Sequence, residues 1–267
     1  MDKKPNDKYK TKRTTTVSSN SLFHFTGSIN TIKTILEKRF FWPRYSTQYS
    51  WSGYNFAIPV VCFCDIPLSR ITDHIAYYGN YGFGMKKTWA KDNKLTPVFY
   101  MQNNSALFNK ISYAIKKMFE SGNISQFEDE ALWLYLIKKA SGIDYKIDKE
   151  NGVGAESHEL FVKSQRKFYD EREWRYIPSL QSYADSIKFS KEKFTKDELD
   201  EFSQVSLRNL LPFNFNDIQY IIVDTEKDRK ELITYIRKKQ NDWDITDADL
   251  FLLISKIISC VQIKYDF

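Results

Sequence analysis

The amino-acid sequence predicts an α+β fold. Three observations carry that expectation. Short apolar runs of strand-like composition are separated along the chain, while helical periodicities gather in its middle, so no regular β–α alternation appears. Gly and Pro are sparse, 9 and 7 in 267 residues, which excludes a linker or low-complexity chain. The hydrophobic fraction is 42% and the aromatic fraction 16%, so the core must be built largely on Phe and Tyr. No internal repeat and no strong domain boundary is visible, and residues 21–267 read as one domain behind a disordered tail over 1–20.

The elements follow in order. Residues 1–20 are polar and rich in Lys, Thr and Ser. Leu22 to Thr26 reads as a short strand, Gly27 to Asn30 as a turn, and Thr31 to Lys38 as a helix with Ile32, Ile35 and Leu36 at helical spacing. Arg39 to Ala57 is aromatic but irregular, and reads as a lid or wall over a pocket. Val60 to Cys64 is a buried strand, stopped by Pro67. Ser69 caps a helix to Tyr78, and Tyr81 to Lys87 is a strand whose two glycines invite close approach. Pro97 to Met101 is a further strand. A helical segment then spans about 104–140: Asn104 to Glu120 with Leu107, Phe108, Ile111, Ala114, Ile115 and Met118 on one face, and Glu128 to Lys139 with Leu132, Trp133, Leu136 and Ile137 inward. Residues 144–156 are polar. Phe168 to Pro178 is a strand, Ser186 to Phe189 another, and Glu198 to Asn209 a polar helix. Ile218 to Val223 is the clearest buried strand, followed by helices over Arg229 to Lys239 and Ala248 to Cys260 and a terminal strand over Val261 to Tyr265.

Charge narrows the function classes. Of the net +6, four charges come from the first thirteen residues, where Lys3, Lys4, Lys8, Lys10, Lys12 and Arg13 face only Asp2 and Asp7. The nearly neutral remainder lacks the basic balance of a dedicated nucleic-acid binder. Three cysteines (Cys62, Cys64 and Cys260) make no disulfide framework, and no apolar run is long enough to span a bilayer, so a reducing cytoplasm is the expected compartment.

Two separated polar islands carry the candidate chemistry. The first is Leu22-Phe23-His24-Phe25-Thr26-Gly27, which can present a ring, a hydroxyl and a chain-turning backbone to one ligand. A lone His in an apolar strand is more often a satisfied structural group. The second island is Asp170-Glu171-Arg172-Glu173-Trp174-Arg175. On a strand, Glu171 and Glu173 point to one face, with Trp174 toward the core. Two such carboxylates raise each other's pKa unless Arg172 or Arg175 keeps them charged. They suit support of a developing oxocarbenium ion in sugar-bond cleavage, against the plainer reading of a surface ion-pair ladder. Tyr77, Tyr78 and Tyr81, beside Gly79, Gly82 and Gly84, suit stacking on a flat ring or ordinary aromatic packing.

At these residues the chain resembles a family. Phe23 to Thr26, Val61-Cys62-Phe63-Cys64-Asp65-Ile66-Pro67-Leu68, Tyr78 to Gly84 with Lys87 and Trp89, Pro97 to Tyr100, and Asp170 to Arg175 look like the AbiGi family of bacterial abortive phage-resistance proteins, in order over about residues 22–224. That family is usually labelled the antitoxin half of a two-gene system, which implies a cognate toxin as partner. The same layout is similar, more distantly, to ADP-ribosyltransferases of the His-Tyr-Glu kind, which split the nicotinamide–ribose bond of NAD. This second resemblance implies a split mixed or antiparallel sheet with an inserted helical segment, NAD as substrate and a protein or nucleic-acid acceptor. It implies that His24 binds a ribose hydroxyl and that the Phe25 backbone, with Thr26 nearby, holds the carboxamide. Tyr78, or else Tyr77 or Tyr81, stacks on nicotinamide. Glu173 stabilises the oxocarbenium ion, and Glu171 orients the acceptor. The chain departs from that pattern at Phe25, where a small residue is usual, and in its tyrosine spacing.

Two further readings compete. A non-catalytic antitoxin would bind its toxin through residues 39–57 or the helical middle. A metal-dependent nuclease would use Asp65, Glu171 and Glu173, but no lysine follows the acidic pair at nuclease spacing. Cys62, Cys64 and His74 make a poor zinc set, so no metal is expected.

Overall fold

A computed structural model of the protein describes residues 19–51, 53–147, 161–205 and 209–266. The basic tail expected over 1–20 lies almost wholly outside the described residues, as does most of the polar stretch 144–156.

The chain enters its fold at β1 (Ser21–Thr26), where Leu22 and Phe23 are buried. The Ser28 hydroxyl then accepts from the Thr31 amide and caps α1 (Ile29–Lys38), whose buried stripe is Ile32, Ile35 and Leu36. Three strands follow: β2 (Phe40–Phe41), β3 (Arg44–Trp51) and β4 (Tyr54–Cys64). After α2 (Thr72–Tyr78) come β5 (Tyr81–Lys86), α3 (Lys87–Asp92), β6 (Thr96–Pro97) and β7 (Phe99–Met101). The helical segment is α4 (Ala106–Glu120) and α5 (Glu128–Leu136), and it returns directly into β8 (Ile137–Lys139). A hairpin of β9 (Ser141–Ile147) and β10 (Phe161–Lys167) precedes β11 (Glu173–Tyr176), β12 (Lys188–Ser190) and α6 (Lys196–Val205). The last elements are β13 (Leu211–Pro212), β14 (Ile218–Val223), α7 (Glu226–Lys238), α8 (Asp247–Ser255), β15 (Ile257–Ser259) and α9 (Cys260–Asp266).

The main sheet runs β15-β14-β5-β1-β4-β11-β6, with β3 and β12 also paired to β4. Its contacts are antiparallel except β14 with β15. The expected α+β class therefore holds. The eleven-residue β4 belongs to two halves of this sheet at once. Its C-terminal part pairs with β11 from Val61 to Cys64, and Cys64 also faces Phe23 of β1. Its N-terminal part pairs with β3 up to Arg44–Val60, and with β12. Tyr176 of β11 already sits opposite Val61, so β3, which reaches Val60, cannot occupy the same edge. Strands β1 and β3 thus follow one another along the other edge, with a gap between Cys64 and Val60. Each half has its own main core, and a smaller third cluster gathers Phe23, Cys64, Ile66, Ile71, Ile222 and Ile263. Of the two main cores, one joins Leu22, Phe41, Phe83, Ile221 and the inner faces of α1, α7 and α8; the other joins Phe56, Ile58, Met118, Phe119, Leu134 and Tyr135.

Several expectations need correction. Residues 39–57 are not an irregular lid but are largely β2, β3 and the start of β4, because Arg44 to Gln48 pair with Val60 to Phe56 and, past a shift in register, Trp51 pairs with Tyr54. The expected role as a pocket wall survives in Ser46, Thr47 and Gln48. In α5 the inward face is Ala131, Leu134 and Tyr135, while Leu132 and Trp133 are exposed; after an acidic first turn every residue from Ala131 to Leu136 is apolar, so periodicity cannot choose its face. In α4, Leu107 and Ala114 are exposed and Phe119 is buried instead. The C-terminal strand is Ile257–Ser259, and Val261 to Tyr265 is helical. The β-branched Ile257 and Ile258 pair parallel with β14, which ends α8 at Ser255.

Candidate site where the sheet splits

The gap along β4 is filled by a side chain. Beyond Phe23, β1 no longer pairs with β4, and His24 Nδ1 lies 2.9 Å from the Cys62 carbonyl oxygen. A carbonyl only accepts, so Nδ1 carries the proton and Nε2 remains an acceptor. The imidazole stands against Phe41 and Phe63, at centroid distances of 5.1 and 5.4 Å. Burial lowers its pKa from 6.5, opposed by the bond to Cys62, so the ring is neutral at pH 7.

The other wall comes from β11 and the turn before it. Residues Phe168–Glu171 form a 3₁₀ turn, Arg172 is left-handed (φ 46°), and the strand starts only at Glu173. The expected continuous strand is thus broken, and strand alternation is not what aligns the two carboxylates. They converge on a shared cation instead. Lys138 Nζ is 2.6 Å from Glu171 Oε2 and 2.7 Å from Glu173 Oε2. The other Glu173 oxygen accepts from Arg175 Nε at 2.7 Å. Arg175 is 1% exposed and donates also to the Tyr135 carbonyl (2.8 Å) and to Gln48 Oε1 (2.7 Å). Trp174 points the opposite way, into the first core and beneath the Lys87 ammonium, as expected.

For Glu173 the expected alternative holds, in which Arg175 keeps the carboxylate charged. Burial alone would push the Glu173 carboxyl up, but Arg175 and Lys138 hold it well below the usual carboxylate range. Burial likewise works against the Lys138 charge, yet Glu173 and Glu171 raise its pKa. Burial pushes the Cys62 and Cys64 thiols up, and both stay protonated.

A cavity of about 270 Å³ opens between these walls. His24, Phe25, Gln48, Cys62, Tyr78, Lys138, Glu171, Glu173 and Arg175 line it. A second hollow of about 790 Å³ shares His24, Phe25 and Cys62 and runs past Thr26 to α1, Trp42, Arg44 and α6. The structure therefore brings His24, Phe25, Tyr78, Glu171 and Glu173 around one space, and sets Thr26 in the neighbouring one. Tyr77 lines neither, and Tyr81 turns its hydroxyl to Asp228 at 3.2 Å. Lys138 and Gln48 are site residues that sequence reasoning missed. Nothing in Ile137-Lys138-Lys139 distinguishes it from the polar end of a helix. Asp65, the third carboxylate of the nuclease reading, is engaged by Lys87 (2.7 Å) and the Ser19 amide (3.1 Å). Among the described residues, no three His, Cys, Asp or Glu side chains form a metal-binding group.

Comparison with known proteins follows the same residues. A family provisionally described as abortive phage resistance protein AbiGi, antitoxin, matches residues 53–224. The abortive phage resistance protein AbiGi of Lactococcus lactis subsp. cremoris is 32% identical over 231 residues, covering 79% of this chain and 89% of the relative. The chain belongs to the AbiGi family. The AbiGi match contains Cys62, Lys138, Glu171, Glu173 and Arg175, whereas His24 and Gln48 precede it. No solved structure matches the chain. No helix among the described residues is long and apolar enough to cross a membrane.

Proposed function

We propose that this AbiGi chain acts in abortive phage resistance by moving ADP-ribose from NAD to a protein or nucleic-acid acceptor. The observation that carries the reading is the meeting of His24 and Glu173, distant in sequence, on the walls of one cavity. The residues fit such a substrate. Neutral His24 has Nε2 available as an acceptor for a ribose hydroxyl, Phe25 and Tyr78 border the space for a nicotinamide ring, and the adjoining hollow gives room for the adenylate half. In the reaction the bond from ribose C1′ to the nicotinamide nitrogen breaks, and its electron pair leaves with the neutral nicotinamide. Ionised Glu173 stabilises the positive charge on the ribose, the acceptor's nucleophile bonds to C1′, and its proton leaves to solvent. Glu171 orients the acceptor.

The test is incubation of the protein with labelled NAD and infected-cell extract. Label should pass to an acceptor with wild type and fall by about 10²–10³-fold with Glu173→Gln. Equal transfer by both proteins, or none under any condition, removes the reading.

A second reading is a non-catalytic antitoxin that binds a cognate toxin. Its support is the family description, and the pairing of Glu173 with two cations. It expects Glu173→Gln, once shown to be folded, to neutralise a co-expressed toxin as well as wild type does.

A further inference from the structure

The second hollow carries charge of its own. Among the described residues that line it, Arg44 is the only cation and Asp200 of α6 the only anion. Their ion pair, Arg44 Nη1 to Asp200 Oδ1, is 3.9 Å long, beyond hydrogen-bond reach, and the two side chains are 72% and 50% exposed. The guanidinium therefore keeps donors for a better-placed oxyanion. Strand β3 links this cation to the first cavity. Arg44, Ser46 and Gln48 fall on one face of β3, opposite Val60, Ile58 and Phe56. Gln48 borders the first cavity, where it accepts from Arg175. At about 3.3 Å per residue, Arg44 stands about 13 Å along the strand from Gln48. His24 borders both spaces. Burial lowers the pKa of its imidazole most, and the Arg44 charge adds to that, so the guanidinium is within electrostatic reach of the ring.

We propose that Arg44 is the anion anchor of the second hollow: it takes the phosphates of a nucleotide whose sugar hydroxyl meets His24, and Asp200 competes with those phosphates for it. This deepens the transferase reading and rests on it only for the identity of that nucleotide as NAD. The geometry selects the ligand class. An occupant of both spaces must offer a hydroxyl to Nε2 of His24, an oxyanion to Arg44 and a flat or apolar surface to the wall of Ile35, Phe41 and Trp42. A nucleoside diphosphate joined to a second sugar carries those three parts in that order. An inorganic anion satisfies Arg44 alone, and an uncharged nucleoside leaves Arg44 with no new partner. The α1 side of the hollow adds Asn30 and Thr31 but no second cation, so discrimination by charge falls to Arg44. The α6 side is the part that gives way. None of the described residues of α6 is buried. The helix is tied to β3 through the Phe202 ring against Tyr45 and through the Ser203 hydroxyl, which accepts from the Tyr45 amide at 2.9 Å. Ligand entry therefore requires the Asp200 carboxylate to turn aside and does not require the helix to leave.

The experiment is calorimetric binding of ADP-ribose to wild type, Arg44→Gln, Arg44→Lys and Asp200→Asn at low and high salt, each protein checked for its fold by circular dichroism, followed by KM and kcat for NAD. Arg44→Gln should weaken ADP-ribose binding about tenfold or more and flatten its salt dependence. Arg44→Lys should recover part of both, because it returns the charge without the planar fork. Asp200→Asn should tighten binding about two- to fivefold by removing the competitor. With NAD, the loss in Arg44→Gln should fall on KM rather than kcat, because the phosphates are not the reacting atoms. An ADP-ribose affinity indifferent to Arg44→Gln, or no binding by folded wild type, overturns the inference. Binding left unchanged or weakened by Asp200→Asn overturns the competition. ADP-ribose held through Arg44 by a protein that never transfers it from NAD removes the transferase reading and leaves the anchor standing; transfer whose KM ignores Arg44→Gln does the reverse.

Discussion

At the scale of single residues, two titrating groups make opposite use of burial. His24 is half-buried and neutral, with a pKa below 6.5, so the unfolded chain binds a proton more readily between the two values. Its contribution to stability is complete above about pH 6.5 and lost as pH falls toward the folded value. Urea unfolding of wild type should therefore weaken between pH 7 and pH 5 by more than that of His24→Phe, which should itself lose about 1–3 kcal/mol by orphaning the Cys62 carbonyl. Glu173 is buried charged, with its pKa held far below 4.5. Its contribution is present above about pH 4.5 and lost as pH falls through the folded value. The Glu173→Gln variant should lack that acid-side slope, and at pH 7 should lose about 3–5 kcal/mol because buried Arg175 loses its carboxylate and Lys138 one of its two. Parallel slopes for wild type and variant in either series would contradict the assignment. Sequence pattern singled out His24, Glu171 and Glu173 because a polar group inside an apolar strand needs a reason. It passed over Lys138 because a lysine after a helical run is ordinarily solvated, and only the tertiary turn into β8 buries it.

At the scale of elements, close approach explains where the chain tolerates no side chain. Gly79 ends α2 at φ 113°, and a Cβ there would lie 2.4 Å from the Thr26 carbonyl oxygen. Gly79→Ala should cost about 1–3 kcal/mol of stability in thermal or urea unfolding, and should displace Tyr78 from the cavity wall. An unchanged melting temperature would show that β1 and α2 do not need this contact. Strands β1, β5 and β14 and the C-terminal end of β4 were legible from short β-branched and aromatic runs, and α1 from the helical spacing of Ile32, Ile35 and Leu36. Elements with apolar residues on every side were not. The face of α5 and the boundary between α8 and β15 are decided by which neighbour covers them, and local sequence carries no record of that.

At the scale of the molecule, β4 runs through both cores, so neither half of the sheet has a complete set of strands without it. Truncations in either core should therefore destabilise the whole. Phe56→Ala on one side should cost about 3–5 kcal/mol and Ile221→Ala on the other about 2–5 kcal/mol. Each variant should still unfold in a single transition seen alike by far-UV dichroism and tryptophan fluorescence; separated transitions would mean two independent units. The α+β class was legible because strands and helices segregate along the chain, but the forked β4 was not, since a long apolar strand reads the same whether it serves one sheet or two. The fork has one more consequence, and it turns on the imidazole bonded to Cys62. In an ordinary ladder, backbone would claim that carbonyl and draw the neighbouring strands shut. Here a ring stands in the opening like a spacer, so the hollow is built into the fold and the two strands do not zip closed across it. A ligand entering it finds a doorway already framed, and need not prise the strands apart.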